Sequence, residues 1–188
     1  MITDFLINFV PFSHDELNDI LPYFKKEKVK KNEVLIKEGQ VCSKLYFVDQ
    51  GIGRSYYLKK DGKEVTQWFF GVNNFMSSVD SFFQQSPSFY YLEVLEDSIL
   101  YSITKKNMDA LLAKYHNMET FIRLLTIDTL AKFVHKLNAI QFQTAKERYT
   151  YMLAEFPDIS HRVPLGHIAS YLGITQETLS RIRKNDSH

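Results

Sequence analysis

Five polar side chains near the C-terminus recur at spacings that place them on one face of a helix. They are Gln176, Glu177, Ser180, Arg181 and Lys184. Arginine can donate two parallel hydrogen bonds to guanine, glutamine can read adenine, and glutamate can accept from cytosine. The pattern therefore predicts a helix, capped by Thr175, that presents these side chains to base edges in the major groove of double-stranded DNA.

A preceding helix and a tight turn must hold that reading helix in place. Ala169 supplies a small residue where two helix backbones approach, and Gly173 tolerates left-handed backbone geometry at the turn. The apolar residues predicted to form the shared core are Ile168, Leu172, Ile174, Leu179 and Ile182. These features indicate a helix-turn-helix over 164–184. The alternative interpretation is a helical hairpin with a solvated charged face.

The segment from Val29 to Tyr101 has the pattern of short strands. Runs rich in β-branched and aromatic residues alternate with turns that contain glycine. The runs begin at Val34, Lys44, Arg54 and Val65, the turn glycines are Gly39, Gly51 and Gly62, and residues 92–103 form a further strand region. Short strands joined by tight turns predict a β-sandwich or barrel-like roll.

Helices are predicted on both sides of this strand region. A capping box opens a helix at 13–24, Thr104 caps a second near residue 105, and another capping box opens a helix at 144–156. The helix at 117–137 is longer, and its apolar stripe is wider than a surface helix needs. The alternatives are a helix buried on several sides of a monomer and a dimerisation helix. The dimerisation residues would be Met118, Phe121, Leu125, Leu130, Val134 and Leu137.

Composition narrows the classes of protein and site that the chain can represent. Its 188 residues include one cysteine, Cys42, which excludes an internal disulfide, a four-cysteine zinc site and a cysteine-ligated iron–sulfur cluster. Neither a run of about 18 apolar residues nor a signal peptide with a basic start is present, so a cytoplasmic protein without membrane contact is expected.

No catalytic or metal-binding motif is found in the sequence. Gly-rich phosphate loops, nucleophile motifs and metal-ligand pairs are absent, so no enzyme activity, metal or cofactor is predicted. The histidines do not form a ligand spacing; they are His14, His116, His135, His161, His167 and His188. A redox role for Cys42 is left open.

The string 172–183 resembles the recognition motif of the Crp/Fnr superfamily, the relatives of the catabolite activator protein. Glu38–Gly39, Leu45–Val48 and Asp61–Glu64 resemble that family's cyclic-nucleotide-binding roll. The resemblance implies an α+β fold. An N-terminal double-stranded β-helix or jelly roll would occupy 1–116, a dimerisation helix 117–138, and the helix-turn-helix domain 139–188. The relatives' β-hairpin wing is not expected, since four residues follow Lys184.

The chain departs from the family where cyclic-nucleotide binders carry a phosphate cassette. The cassette supplies a glutamate for the ribose and an arginine for the cyclic phosphate, but ungapped counting puts Ser78 and Ser88 at those positions. No arginine lies between residues 55 and 122. A buried phosphate without a cation would be poorly compensated, so cyclic AMP binding is not expected. The effector is an unknown small molecule or none.

Two functions remain open at this point. The first is a sequence-specific transcription regulator that binds a palindromic operator as a homodimer, with RNA polymerase as a further candidate partner. The second is a cyclic-nucleotide-binding signalling module whose C-terminal helices bind protein. The missing cassette arginine weighs against the second.

Overall fold

The computed structural model describes residues 1–185, beginning with two helices and a mostly β segment. These elements are α1 (Ile2–Phe9), α2 (His14–Ile20), a 3-10 turn (Leu21–Tyr23), β1 (Lys25–Val29), β2 (Val34–Ile36), β3 (Lys44–Gln50), β4 (Gly53–Leu58), β5 (Glu64–Phe70), β6 (Phe75–Met76), α3 (Val79–Gln84), β7 (Tyr91–Val94) and β8 (Ser98–Thr104). The predicted strand region is therefore present, although it begins at Lys25 and residues 92–103 contribute to two strands.

The rest of the chain is helical. The elements are α4 (Lys105–Lys114), α5 (His116–Phe142), α6 (Ala145–Glu155), α7 (Ile159–Arg162), α8 (Leu165–Leu172) and α9 (Gln176–Asn185). Thr104 and Thr144 cap α4 and α6 as predicted, because each hydroxyl accepts a hydrogen bond from the backbone N–H three residues later. His188 and the expectation about a wing lie outside the described residues.

The strands form two four-stranded sheets, with orders β1-β8-β3-β6 and β2-β7-β4-β5. The first sheet is antiparallel: Lys25 pairs with Ser102 in β8, and Phe47 of β3 pairs with Tyr101 on one side and Phe75 on the other. Two such sheets followed by helices confirm the predicted α+β fold with an N-terminal roll, a long helix and a C-terminal helix-turn-helix.

Residues 1–55 and 69–129 form one compact unit. An aromatic cluster lies in its core: the Phe5 ring centroid is 5.2 Å from that of Phe47, 5.8 Å from Phe75 and 6.2 Å from Phe121. Aromatic rings at these separations combine a large buried area with favourable edge-to-face contacts. The short helix α1 supplies Phe5 to this cluster and buries Ile2 and Leu6, so a segment for which no helix was predicted contributes to the core.

The second compact unit joins residues 56–68 to the chain from Leu130 onward. Residues 56–68 comprise the ends of β4 and β5 and the turn between them, called here the β4–β5 hairpin. The hairpin thus clusters with the C-terminal helices, and α5 contributes residues to both units. The domain boundaries at 116/117 and 138/139 stay a prediction.

Two of the residues predicted for dimerisation pack inside the chain instead. Met118 and Phe121 are fully buried, and the Phe121 ring lies against Phe5, Phe9 and Phe75. A side chain with no exposed surface cannot contact a partner chain without rearrangement, so their assignment to the dimer seam is wrong. The apolar stripe of α5 is wide because its N-terminal part closes the core of the first unit.

Candidate nucleic-acid interface

The turn between α8 and α9 has the geometry that the sequence predicted. Gly173 has φ of +69°, in the left-handed region, where a glycine carries no Cβ penalty. The N–H of Ile174 donates to the carbonyl of Ala169 at 3.0 Å and so closes the end of α8. Ile168, Ala169, Leu172 and Leu179 are buried as expected, whereas Ile174 and Ile182 are half-buried.

Thr175 starts α9 as its N-cap. Its Oγ1 accepts a hydrogen bond from the N–H of Thr178 at 3.3 Å, which satisfies one of the free donors at the start of the helix. The acidic Glu177 lies in the first turn, where the positive end of the helix dipole favours negative charge. The cap and this charge fix where α9 begins and therefore which side chains face outward.

All of the predicted DNA-contacting side chains are exposed. They are Thr175, Gln176, Glu177, Ser180, Arg181 and Lys184. Hydrogen bonds from its own backbone N–H and from the Thr175 side chain, with the nearby Arg181 charge, hold the pKa of Glu177 below its ordinary value. At neutral pH this face therefore presents a carboxylate acceptor beside arginine and lysine donors, which are the groups that base edges and phosphates pair with.

Gln176 also lies close to the first turn of α8. A Cβ added to Gly166 would come within 2.7 Å of the Gln176 Nε2 atom. The missing side chain at position 166 therefore leaves room for the Gln176 amide. Gly166 was not predicted to matter, since nothing in its sequence context indicates which side chain from α9 would pass over it.

Arg148 of α6 supports the helix-turn-helix by hydrogen bonds to backbone carbonyls. This role was not predicted from the sequence. Its Nε donates to the carbonyl of Leu172 at 3.2 Å, and its Nη1 donates to the carbonyl of Gln143 at 2.6 Å. Carbonyls at helix C-termini lack intrahelical partners and favour a cation. Arg148 therefore fixes the end of α8 directly before the turn to α9.

The β4–β5 hairpin contacts the same helix. The N–H of Thr66 donates to Ser170 Oγ at 3.1 Å, although the two residues are 104 positions apart in sequence. Ser170 Oγ in turn donates to the carbonyl of His167 at 2.9 Å. The hairpin is thus hydrogen-bonded to the first helix of the helix-turn-helix.

The cassette-equivalent serines contact each other within the first unit. Ser88 Oγ lies 2.8 Å from both Ser78 Oγ and the carbonyl oxygen of Tyr90, and both serines are 2 % exposed. Ser78 Oγ also donates to Asp80 Oδ1 at 3.0 Å. Neutral hydroxyls that already bond each other supply neither the charge nor the room that a cyclic phosphate between them would need.

A buried cation does occur in this unit, directly before the stretch between residues 55 and 122 that contains no arginine. Arg54 is 1 % exposed, and its Nε donates to Glu93 Oε1 at 2.6 Å. A buried arginine paired with a buried carboxylate is already charge-compensated. Arg54 therefore does not replace the missing cassette arginine as an uncompensated cation for an anionic ligand.

The second part of α5 carries an exposed apolar stripe. The exposed fraction of its side chains lies between 49 % and 61 %, and its members are Ile127, Leu130, Val134 and Leu137. Their spacing of three, four and three residues is that of a coiled-coil seam. Leu125 is half-buried. The stripe is therefore available for a partner helix in a way that Met118 and Phe121 are not.

Comparisons with known proteins agree with this architecture. The family model of the cyclic nucleotide-binding domain matches residues 26–115. The fumarate and nitrate reduction regulatory protein of Yersinia pestis is 26 % identical over 182 residues, covering 89 % of this chain and 70 % of its own length. Among the described residues, no helix is both long and apolar enough to cross a membrane.

Two solved structures share the fold across most of the chain. The structure of FixK2 from Bradyrhizobium japonicum has a TM-score of 0.74 at 19 % identity and covers 86 % of this chain and 83 % of its own. The catabolite activator protein of Thermus thermophilus has a TM-score of 0.61 at 19 % identity, and the match covers 96 % of this chain and 85 % of that protein.

Proposed function

Because this chain is a transcription regulator of the Crp/Fnr type, we propose that it binds double-stranded DNA through the exposed face of α9. The observation that carries the proposal is the arrangement of α8, Gly173 and α9. It buries the apolar side of α9 and leaves every predicted reading residue in solvent. A helix-turn-helix uses the N-terminal part of its second helix to contact base edges in the major groove.

The side chains of α9 divide into two roles. Arg181, Gln176 and Glu177 read bases, since their donors and acceptors lie toward the helix N-terminus and the adjacent turn. Lys184 contacts phosphates from the end of the described helix, and Ser180 and Thr175 supply shorter hydroxyl contacts. Phosphate contacts set register and orientation, whereas base contacts set sequence preference.

The protein acts as a homodimer through the exposed stripe of α5. A two-fold dimer places its two reading helices about 34 Å apart, one turn of DNA, so the operator is an imperfect palindrome. In this proposal the regulator is cytoplasmic and not an enzyme, and RNA polymerase is a further partner.

Selection of bound fragments from random DNA tests the proposal directly. The full chain should enrich an inverted repeat with half-sites about 10 base pairs apart from centre to centre. A variant with Gln176, Glu177 and Arg181 all changed to alanine is the matched control and should enrich no sequence. Absence of any preferred duplex with the wild-type chain would contradict the proposal and favour a module whose C-terminal helices bind protein.

Cyclic AMP and cyclic GMP are expected not to bind this roll. Ser78 and Ser88 bond each other where the cassette requires opposite charges, and the buried Arg54 is paired with Glu93. Calorimetry with either nucleotide should show no specific heat, and neither should raise the thermal midpoint, because only a ligand that prefers the folded state does so. Micromolar affinity for either nucleotide would contradict this prediction and require another phosphate partner.

A further inference from the structure

Lys136 of α5 lies where three elements of the second unit meet. Its Nζ donates to the carbonyl of Gln67 in β5. The same nitrogen is 5.1 Å from the ring centroid of Trp68 and 3.7 Å from that of Tyr171 in α8. One ammonium group therefore contacts the β4–β5 hairpin and the first helix of the helix-turn-helix together.

We propose that Lys136 is a positioning residue for DNA binding, which holds α8 against α5 and the β4–β5 hairpin while itself contacting no DNA. The inference rests on the proposed function, because the position of α8 determines the position of α9, the helix proposed to read DNA. Arg148 contacts the carbonyl of Leu172 at the C-terminal end of α8, and Lys136 contacts the ring of Tyr171 in the last turn of the same helix.

The contacts of Lys136 depend on its charge. An ammonium group over an aromatic face is attracted by the ring quadrupole, more strongly when water is excluded, and a neutral amine loses that attraction. Trp68 also packs against Phe133, with 4.8 Å between the two ring centroids. The charge on Lys136 therefore attracts both the Trp68 ring, which packs on Phe133, and the Tyr171 ring.

The charge can be removed at accessible pH. Burial lowers the pKa of Lys136 from 10.5 to about 7. The cavity beside Lys136 is also lined by His135 on the same helix, Arg148 and Tyr151 on α6, and Tyr171 on α8. Glu155 of α6 acts electrostatically on both tyrosines. Burial raises the pKa of Tyr151 and Tyr171, so both stay neutral across the same range.

Protonation then has opposite effects on folding and on DNA binding. The folded-state pKa lies below the unfolded value, so between pH 7 and 10.5 the unfolded chain binds more protons and stability from this group rises with pH. As pH rises through about 7, Lys136 in the folded protein loses its charge and its aromatic contacts weaken, so α8 is held less firmly. A lysine with only a structural role would move stability and DNA affinity in the same direction.

The first test needs no DNA, because Trp68 is the one tryptophan in the sequence. Trp68 emission of the full chain should change with a midpoint near pH 7. Lys136→Met should abolish that transition, whereas His135→Gln and Lys60→Met, an exposed lysine of the same hairpin, should keep it. A transition that survives in Lys136→Met would overturn the proposal, whether or not the chain binds DNA.

The second test measures affinity for the selected duplex and a scrambled one. At pH 6.5 Lys136→Met should bind both about tenfold more weakly than wild type, with an unchanged salt slope, since no phosphate contact is lost. Lys136→Arg should remain near wild type and lose the decline in affinity expected between pH 6.5 and 8.5. Unchanged affinity in Lys136→Met would overturn the positioning role, while failure of the wild-type chain to bind any duplex would overturn the proposed function instead.

Discussion

Replacing Arg181 by alanine is expected to weaken binding to the cognate duplex by about 1–3 kcal/mol, or roughly five- to 150-fold, and to relax preference at one base pair of each half-site. The side chain is exposed on α9 and not part of its buried face, so the loss comes from base contacts and not from unfolding. Competition binding with cognate and scrambled duplexes at two salt concentrations measures the effect.

Lys184→Ala is the matched comparison on the same helix. It should weaken both duplexes about equally and reduce the salt slope by about one, because a lost phosphate contact releases one counterion fewer. If Arg181→Ala also weakened both duplexes equally, Arg181 would be a phosphate contact and the assignment of the reading face would be wrong.

Leu130→Glu is expected to convert the dimer to monomers and to reduce operator affinity roughly hundredfold or more, because each half-site would then bind independently. Leu130 is 61 % exposed in the single chain, so the substitution leaves the monomer core intact. In a two-fold seam the new carboxylates would be buried close together without partners, which strongly opposes association. Sedimentation of the wild type and the variant at micromolar concentration measures the change.

Two control variants separate the seam from the added charge. Leu130→Met keeps an apolar side chain of similar volume and should remain dimeric. Thr150→Glu adds the same charge at an exposed position on α6 and should also remain dimeric. A monomeric wild-type chain, or a dimeric Leu130→Glu, would contradict the assignment of the seam to the exposed stripe of α5.

The helix-turn-helix could be predicted from the sequence because its determinants are local. Gly173 takes the left-handed conformation, Thr175 caps the next helix, and Leu179 is buried, all within seven residues. Turn and cap preferences act over a few positions and hardly depend on the rest of the fold. The exposed residues follow from the same local geometry.

The division of α5 into a buried and an exposed part could not be predicted. Its apolar residues surround much of the helix, so periodicity does not say which of them face the chain's own core. The outcome depends on Phe5 and Phe9 of α1, a short helix without a side-chain cap and more than a hundred residues earlier in the chain. Met118 and Phe121 were therefore assigned to the wrong partner.

Lys136 was missed for a related reason. A lysine on a helix is ordinarily solvated. Nothing in the sequence indicates that Lys136 would donate to the carbonyl of Gln67, which is 69 positions earlier in the chain. Arg54 lies in a run that was assigned to a strand, and its pairing with Glu93, 39 residues later, is not visible in the sequence. Long-range polar contacts between elements become visible only when the fold brings them together.

The hydrogen bond between Thr66 and Ser170 has a consequence for how the protein is made. The ribosome adds about 5–20 residues per second, so the β4–β5 hairpin emerges roughly 5–20 s before the helix that it contacts. Throughout that interval the Thr66 N–H has no Ser170 hydroxyl to which it can donate. The C-terminal unit therefore cannot complete its folding until α8 has been synthesised, and a nascent chain stalled before Ser170 would expose this hairpin to chaperones and proteases.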